Sequence, residues 1–259
     1  MSKIVSIHSF RGGTGKSNTT ANLAAFIAEA GKRVAVVDTD IQSPGIHVLF
    51  DLDESKMEFT LNDYLDGKCE IEDVAYDIGK YKGDAIGLKK LSNRSLWLIP
   101  SSINSRDIRK VLQLGYDVNR LNEGFQSLIK ELELDFLLID THPGLNEETL
   151  LSIAISDVLI IILRPDQQDF QGTAVAVDIA TSLDVPNLFL VVNKALSRYD
   201  FNQIREQVEG FYNQPVAGVL PLSEDLVDLG SADIFALCFP DHPWSKGIGA
   251  IADAVLKAE

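Results

Sequence analysis

Residues 3–20, KIVSIHSFRGGTGKSNTT, leave little freedom in how this chain folds. The apolar run Ile4-Val5-Ser6-Ile7 is rich in β-branched residues and predicts a buried strand. It breaks into the glycine-rich turn Arg11-Gly12-Gly13-Thr14-Gly15-Lys16-Ser17. A helix-prone stretch, residues 19–30, follows, with Leu23 and Ile27 spaced to face one side. Strand, glycine turn and helix start together make a phosphate site. The glycines let backbone N–H groups crowd round an anion, and the helix N-terminus adds partial positive charge. The candidate binding residues are therefore Gly12, Gly13, Thr14, Gly15, Lys16, Ser17 and Asn18. A bare surface turn is the competing reading, and the flanking strand and helix argue against it.

The pattern G-x-x-x-x-G-K-[ST] is met at Gly15, Lys16 and Ser17, but Phe10 holds the leading glycine position. The compact R-G-G-T-G-K-S that remains resembles the deviant P-loop of the MinD/ParA family of ATPases, K-G-G-x-G-K-[ST]. Arg11 stands where that family has its signature lysine. A second landmark is the apolar run 33–37, typical of a parallel strand covered on both faces. Asp38-Thr39-Asp40-Ile41-Gln42 follows it, and two acids at that strand end lie near the phosphates. The D-x-D-x-Q pattern extends the resemblance, which implies that Asp40 polarises the attacking water and Asp38 sits nearer the Mg²⁺ shell.

The third landmark is Phe136-Leu137-Leu138-Ile139-Asp140, continued by Thr141-His142-Pro143-Gly144. An apolar strand ending in aspartate is the Walker B arrangement, which binds Mg²⁺ through its water shell. The D-x-x-P-G ending resembles the family's switch II, which implies that the Gly144 N–H senses the γ-phosphate. His142 is read as packing in that switch rather than as a base, because phosphoryl transfer needs positioning and charge more than basicity. The fourth landmark is a strand over 187–192 ending in Asn193-Lys194. The guanine-selecting N-K-x-D is broken, since Leu196 holds the aspartate position. The resemblance then implies adenine, held by Asn193 and by a later strand end at Pro221.

A length of 259 residues accommodates one large α/β domain or two small ones, and the alternation of strands and helices predicts one domain over 1–259: a single doubly wound, mostly parallel sheet flanked by helices. The hydrophobic share of 46% and charged share of 24% fit a globular chain. No segment reaches the ~18 apolar residues of a membrane span. Cys69 and Cys238 stand apart from each other and from histidines, so they are read as incidental thiols in a reducing, cytoplasmic setting. The net charge of −15 disfavours nonspecific DNA binding, although a local basic patch can survive such a total. It equally disfavours an anionic bilayer. The final helical stretch, 243–259, ends acidic, unlike the basic amphipathic tail by which MinD proteins bind membranes.

The less readable middle predicts short helices over 60–65 and 71–78, a Gly/Lys-rich turn over 79–90, a strand over 96–100, and helices over 105–114 and 118–132. Arg106, Arg109 and Lys110 form a small basic cluster, read as a solvated face or a docking surface. Arg164 and Asp166 fall at the ligand edge after the strand 158–163, near the family's dimer contacts, or are ordinary loop charges. The resemblance implies an ATP-dependent homodimer acting on a protein cargo or activator. Lys16 and the loop amides would hold phosphates, Ser17 and Asp140 the Mg²⁺, Asp40 would orient water, and Arg11 would reach the partner's phosphates. The alternative is an ATP-binding scaffold or sensor that hydrolyses little, because Arg11 replaces the lysine and differs from it in reach and hydration. A kinase or amide ligase on a related fold lacks any nameable acceptor pocket.

Overall fold

Alternation of apolar strands with amphipathic helices produces one eight-stranded sheet in the computed structural model, which describes residues 2–81 and 85–258. The strands are β1 (Lys3–His8), β2 (Val34–Asp38), β3 (Tyr76–Asp77), β4 (Leu96–Ile99), β5 (Phe136–Asp140), β6 (Val158–Leu163), β7 (Asn187–Ala195) and β8 (Val216–Pro221). Their order across the sheet is β3-β4-β2-β5-β1-β6-β7-β8, and only the β3–β4 pair is antiparallel. The helices are α1 (Lys16–Glu29), α2 (Ile46–Leu49), α3 (Leu61–Leu65), α4 (Ser105–Leu114), α5 (Val118–Glu131), α6 (Glu147–Ala154), α7 (Gln167–Ser182), α8 (Phe201–Tyr212), α9 (Glu224–Asp228), α10 (Phe235–Cys238) and α11 (Pro243–Lys257).

Side chains alternate between the two faces, so each strand feeds two cores. Val34 and Val36 pack with Leu23 and Ile27 of α1 and with Trp244 and Ile248 of α11. Ala35 and Val37 turn the other way, against Leu121 and Phe125 of α5. On the far half of the sheet, Leu159 and Ile161 pack with Ala176 and Ala180 of α7 and Val208 of α8. Every residue of β2, β5 and β6 is buried, which is why these strands read as unbroken apolar runs. Each large side chain so placed contributes about 1.5–3 kcal/mol. β1 lies at the centre, between β5 and β6, so the glycine turn leaves the middle of the sheet's carboxyl edge. Ligands of open α/β sheets bind at that edge, where strand order reverses.

Several expectations shift. The first helix starts at Lys16 rather than residue 19, while β8 ends at Pro221 as expected. The helix expected over 71–78 is a single 3₁₀ turn, Ile71–Val74, followed by the edge strand β3. The signal for a helix start was real, since Glu70 and Asp73 form a capping box, but Tyr76 and Asp77 pair with Leu98 and Trp97 instead of continuing the turn. Within the expected turn 79–90, Leu88–Leu91 begins a 3₁₀ turn, while residues 82–84 lie outside the described residues, as does Glu259. Both described cysteines are free, and no helix is long and apolar enough to cross a membrane among the described residues.

Candidate functional site

The turn after β1 needs glycine at two points. Gly13 and Gly15 have φ of +76° and +94°, the left-handed region that side chains rarely adopt. At Gly15 space forbids a side chain as well, since a Cβ would lie 2.4 Å from Asn193 Nδ2. Gly15 caps α1 with no side-chain partner, so the amides of its first turn are left to an outside acceptor. Asn193 donates from Nδ2 to Thr14 O at 2.8 Å and accepts from Lys194 N at 2.9 Å, and Lys194 Nζ donates to Gly13 O at 2.7 Å. The Asn193-Lys194 pair thus braces the turn from behind.

Two cavities meet here. One of about 290 Å³ is lined by Gly12 to Asn18 with Asp40, Ser43 and Pro143. The other, about 240 Å³, lies between Asn193 and Pro221 on one side and Leu226, Val227 and Gly230 on the other. Gly15 and Asn18 line both, so the two adjoin. The sequence motifs had pointed to Asn193 and Pro221; the apolar wall from α9 carried no signal that a motif could reveal.

Asp38 and Asp140 are register partners across β2 and β5, and both are almost fully buried. Burial first, then the neighbouring Asp140 and Asp40 charges, push Asp38 well above the usual carboxylate range. Burial also raises Asp140, against the pull of Lys16 and the Ser17 and Thr20 hydroxyls beside it. Asp140 Oδ1 accepts from Thr20 Oγ1 at 3.2 Å, while Oδ2 is buried with no partner among the described residues, and so is Thr14 Oγ1. Among the described residues no three His, Cys, Asp or Glu side chains converge as a metal cage. Crowded carboxylates with an unsatisfied oxygen, beside a Ser hydroxyl and an uncapped helix start, fit a magnesium ion held by few protein ligands together with phosphates. The residues present therefore fit Mg²⁺ and a phosphorylated ligand.

The remaining expected residues are placed as follows. Asp38 is committed to the loop, its Oδ1 accepting from Asp40 N at 3.0 Å and its Oδ2 from Gly45 N at 3.3 Å. Gly144, φ +87°, donates its N–H to Ser9 O at 3.2 Å, so reaching a phosphate requires breaking that bond. Arg11 does not point outward freely: it donates to Gln168 Oε1, and its Nε lies 3.9 Å from the buried Asp169 carboxylate. Asp169 also takes a bidentate pair from Arg164 at 2.9 and 3.0 Å. Burial pushes Asp169 up, but the Arg164 bonds and the Arg11 charge outweigh it and hold it below the usual range. Arg164 thus anchors the start of α7, and Asp166 caps that helix. The basic cluster on α4 is partly neutralised, because Lys110 pairs with Asp66 at 2.6 Å.

Comparison with known proteins bears on this geometry. A family model described as an AAA domain matches residues 2–187. An uncharacterized ATP-binding protein of Methanocaldococcus jannaschii is 26% identical over a 260-residue alignment, covering 100% of this chain and 89% of that protein. The septum site-determining protein MinD of a Synechocystis species is 26% identical over 233 residues, covering 88% of this chain and 79% of its own. Among solved structures, the septum site-determining protein MinD of Pyrococcus horikoshii, complexed with Mg-ADP, has the same fold with a TM-score of 0.80 at 22% identity. It covers 99% of this chain and 97% of that one.

Proposed function

The chain belongs to the MinD/ParA family of P-loop ATPases, and from that premise we propose that it binds and hydrolyses Mg-ATP and uses the nucleotide to pair two copies that position or regulate a protein cargo. The observation that carries this reading is the pair of adjoining cavities that share Gly15 and Asn18. One has the size and donors of a triphosphate cradle, and the other offers the apolar walls and the Asn193 and Pro221 edge that suit adenine. With nucleotide bound, Mg²⁺ neutralises charge on the phosphates and on the phosphoryl group in transfer.

The chain's own residues have separable roles. Lys16 and the amides of residues 12–18 hold the phosphates, and Ser17 with Asp140 holds the metal. Asp38 shapes the loop that carries Asp40, and Asp40 orients water. Gly144 exchanges its Ser9 bond for a contact with nucleotide. Arg11 is released from Gln168 and Asp169 to meet the partner copy, where guanidinium binds phosphate in bidentate fashion. A second reading, an ATP-binding scaffold with little hydrolysis, is favoured by one observation: Arg11 is engaged within its own chain.

Single-turnover hydrolysis, paired with light scattering in Mg-ATP and in Mg-ADP, separates the two. Hydrolysis abolished by Asp40→Ala, with mass doubling only in Mg-ATP, supports the switch. ATP binding without turnover supports the scaffold, and a monomer in both nucleotides sinks the pairing step.

A further inference from the structure

The parallel pairing of β2 and β5 has a consequence past the strand ends. Asp38 and Asp140 are register partners, and Thr39 continues the ladder by donating its N–H to Asp140 O at 3.0 Å. Two residues past these strand ends both segments run in loops, and the side chains there meet. Those residues are Asp40 and His142, and His142 Nδ1 lies 2.6 Å from Asp40 Oδ1. An ionised carboxylate only accepts, so the proton of this bond sits on Nδ1.

The backbone before His142 is tied to β1: Thr141 donates both its N–H and its hydroxyl to Ile7 O, at 3.2 and 3.0 Å. His142 O also accepts from Thr149 Oγ1 at 3.4 Å. On the other side, Asp40 Oδ1 takes a second bond from Ser43 N at 3.2 Å. Both bonds fall on the same oxygen. Among the described residues nothing donates to Oδ2, and Asp40 lines the phosphate cavity.

We propose that His142 is a positioning residue for Asp40. Its Nδ1–H and the Ser43 amide pin Oδ1, and this presents Oδ2 to the water that Asp40 orients. The role rests on the reading of Asp40 given above. A carboxylate on two free torsions would otherwise sample several directions, and misplacement of about 1 Å can cost roughly 10²-fold in rate. His142 makes this contact as a hydrogen-bond donor, not as a base.

The test uses the full chain at one pH. His142→Leu removes the donor, whereas His142→Asn puts an amide N–H where Nδ1 stands. The expected result is a fall in kcat of about 10–100-fold for His142→Leu with KM for ATP changed less than about threefold, and recovery of most of kcat in His142→Asn. A second readout needs no turnover: in the ligand-free, ¹⁵N-histidine-labelled protein, His142 should show a proton bound to Nδ1, and Asp40→Ala should remove or shift that signal. An Nδ1 signal indifferent to Asp40→Ala, or equal kcat in the Leu and Asn variants of a chain that does hydrolyse ATP, overturns the proposal alone. A wild-type chain that hydrolyses no ATP overturns the reading beneath it.

Discussion

His8 closes β1 directly beneath the glycine turn and is fully buried. Its Nδ1 lies 3.0 Å from Thr141 Oγ1, and that hydroxyl already donates to Ile7 O. His8 must therefore be the donor through Nδ1, which leaves Nε2 a buried lone pair with no partner among the described residues. Burial first, then the charges of Lys16 and His142, lower the His8 pKa to about 3. By linkage, the unfolded chain takes up a proton near the ordinary imidazole value of 6.5 that the folded chain refuses. Stability from this group is complete above that value and is lost as pH falls, at a limiting slope of about 1.4 kcal/mol per unit. Between pH 6.5 and about 4.5 the loss integrates to roughly 2 kcal/mol, a large part of the ~5–15 kcal/mol that holds a typical domain. Nearby Asp38 and Asp140 titrate with the opposite sign, so the comparison must be differential. His8→Asn retains an N–H toward Thr141 and cannot take up the proton. Urea unfolding followed by tryptophan fluorescence at the two pH values should show the wild type losing roughly 2 kcal/mol more than the variant. Losses equal within about 0.5 kcal/mol would refute the assignment of a buried neutral imidazole.

Two further outcomes follow from the site. Gly15→Ala forces a side chain into the left-handed region and against Asn193 Nδ2, so it should destabilise the chain by about 1–3 kcal/mol and weaken ATP binding at least ~100-fold, read by calorimetry. Burial raises the Asp140 pKa and so disfavours its carboxylate in the folded chain, which means that Asp140→Asn should raise the ligand-free melting temperature at neutral pH, read by calorimetry. The same variant should lose the stabilisation that Mg-ATP confers on the wild type; a lower ligand-free melting temperature would contradict the desolvation argument.

Local sequence was a sound guide wherever a local cause sufficed. The strand over 4–7, the glycine turn and the helix after it follow from β-branching, positive φ and helical spacing, which act over a few residues. The same holds for the strands ending at Asp38 and Asp140, buried on both faces and so apolar throughout. The stretch 71–78 has the local signal of a helix but forms a 3₁₀ turn and an edge strand, because its second half is decided by pairing with β4, which no local preference announces.

What only the tertiary structure decided is which distant residues meet. Asn193 braces Thr14 from 179 positions away, Arg11 lies on Gln168 157 positions away, and His142 reaches Asp40 across 102. The sequence alone determined the chemistry available along the carboxyl edge: a phosphate turn, two aspartate-ended strands, an asparagine and a proline. Sheet order and parallel register then set which of these groups touch. That is a matter of strand neighbours, β5 between β2 and β1 and β6 beyond, settled by burial of the whole sheet rather than by any single segment.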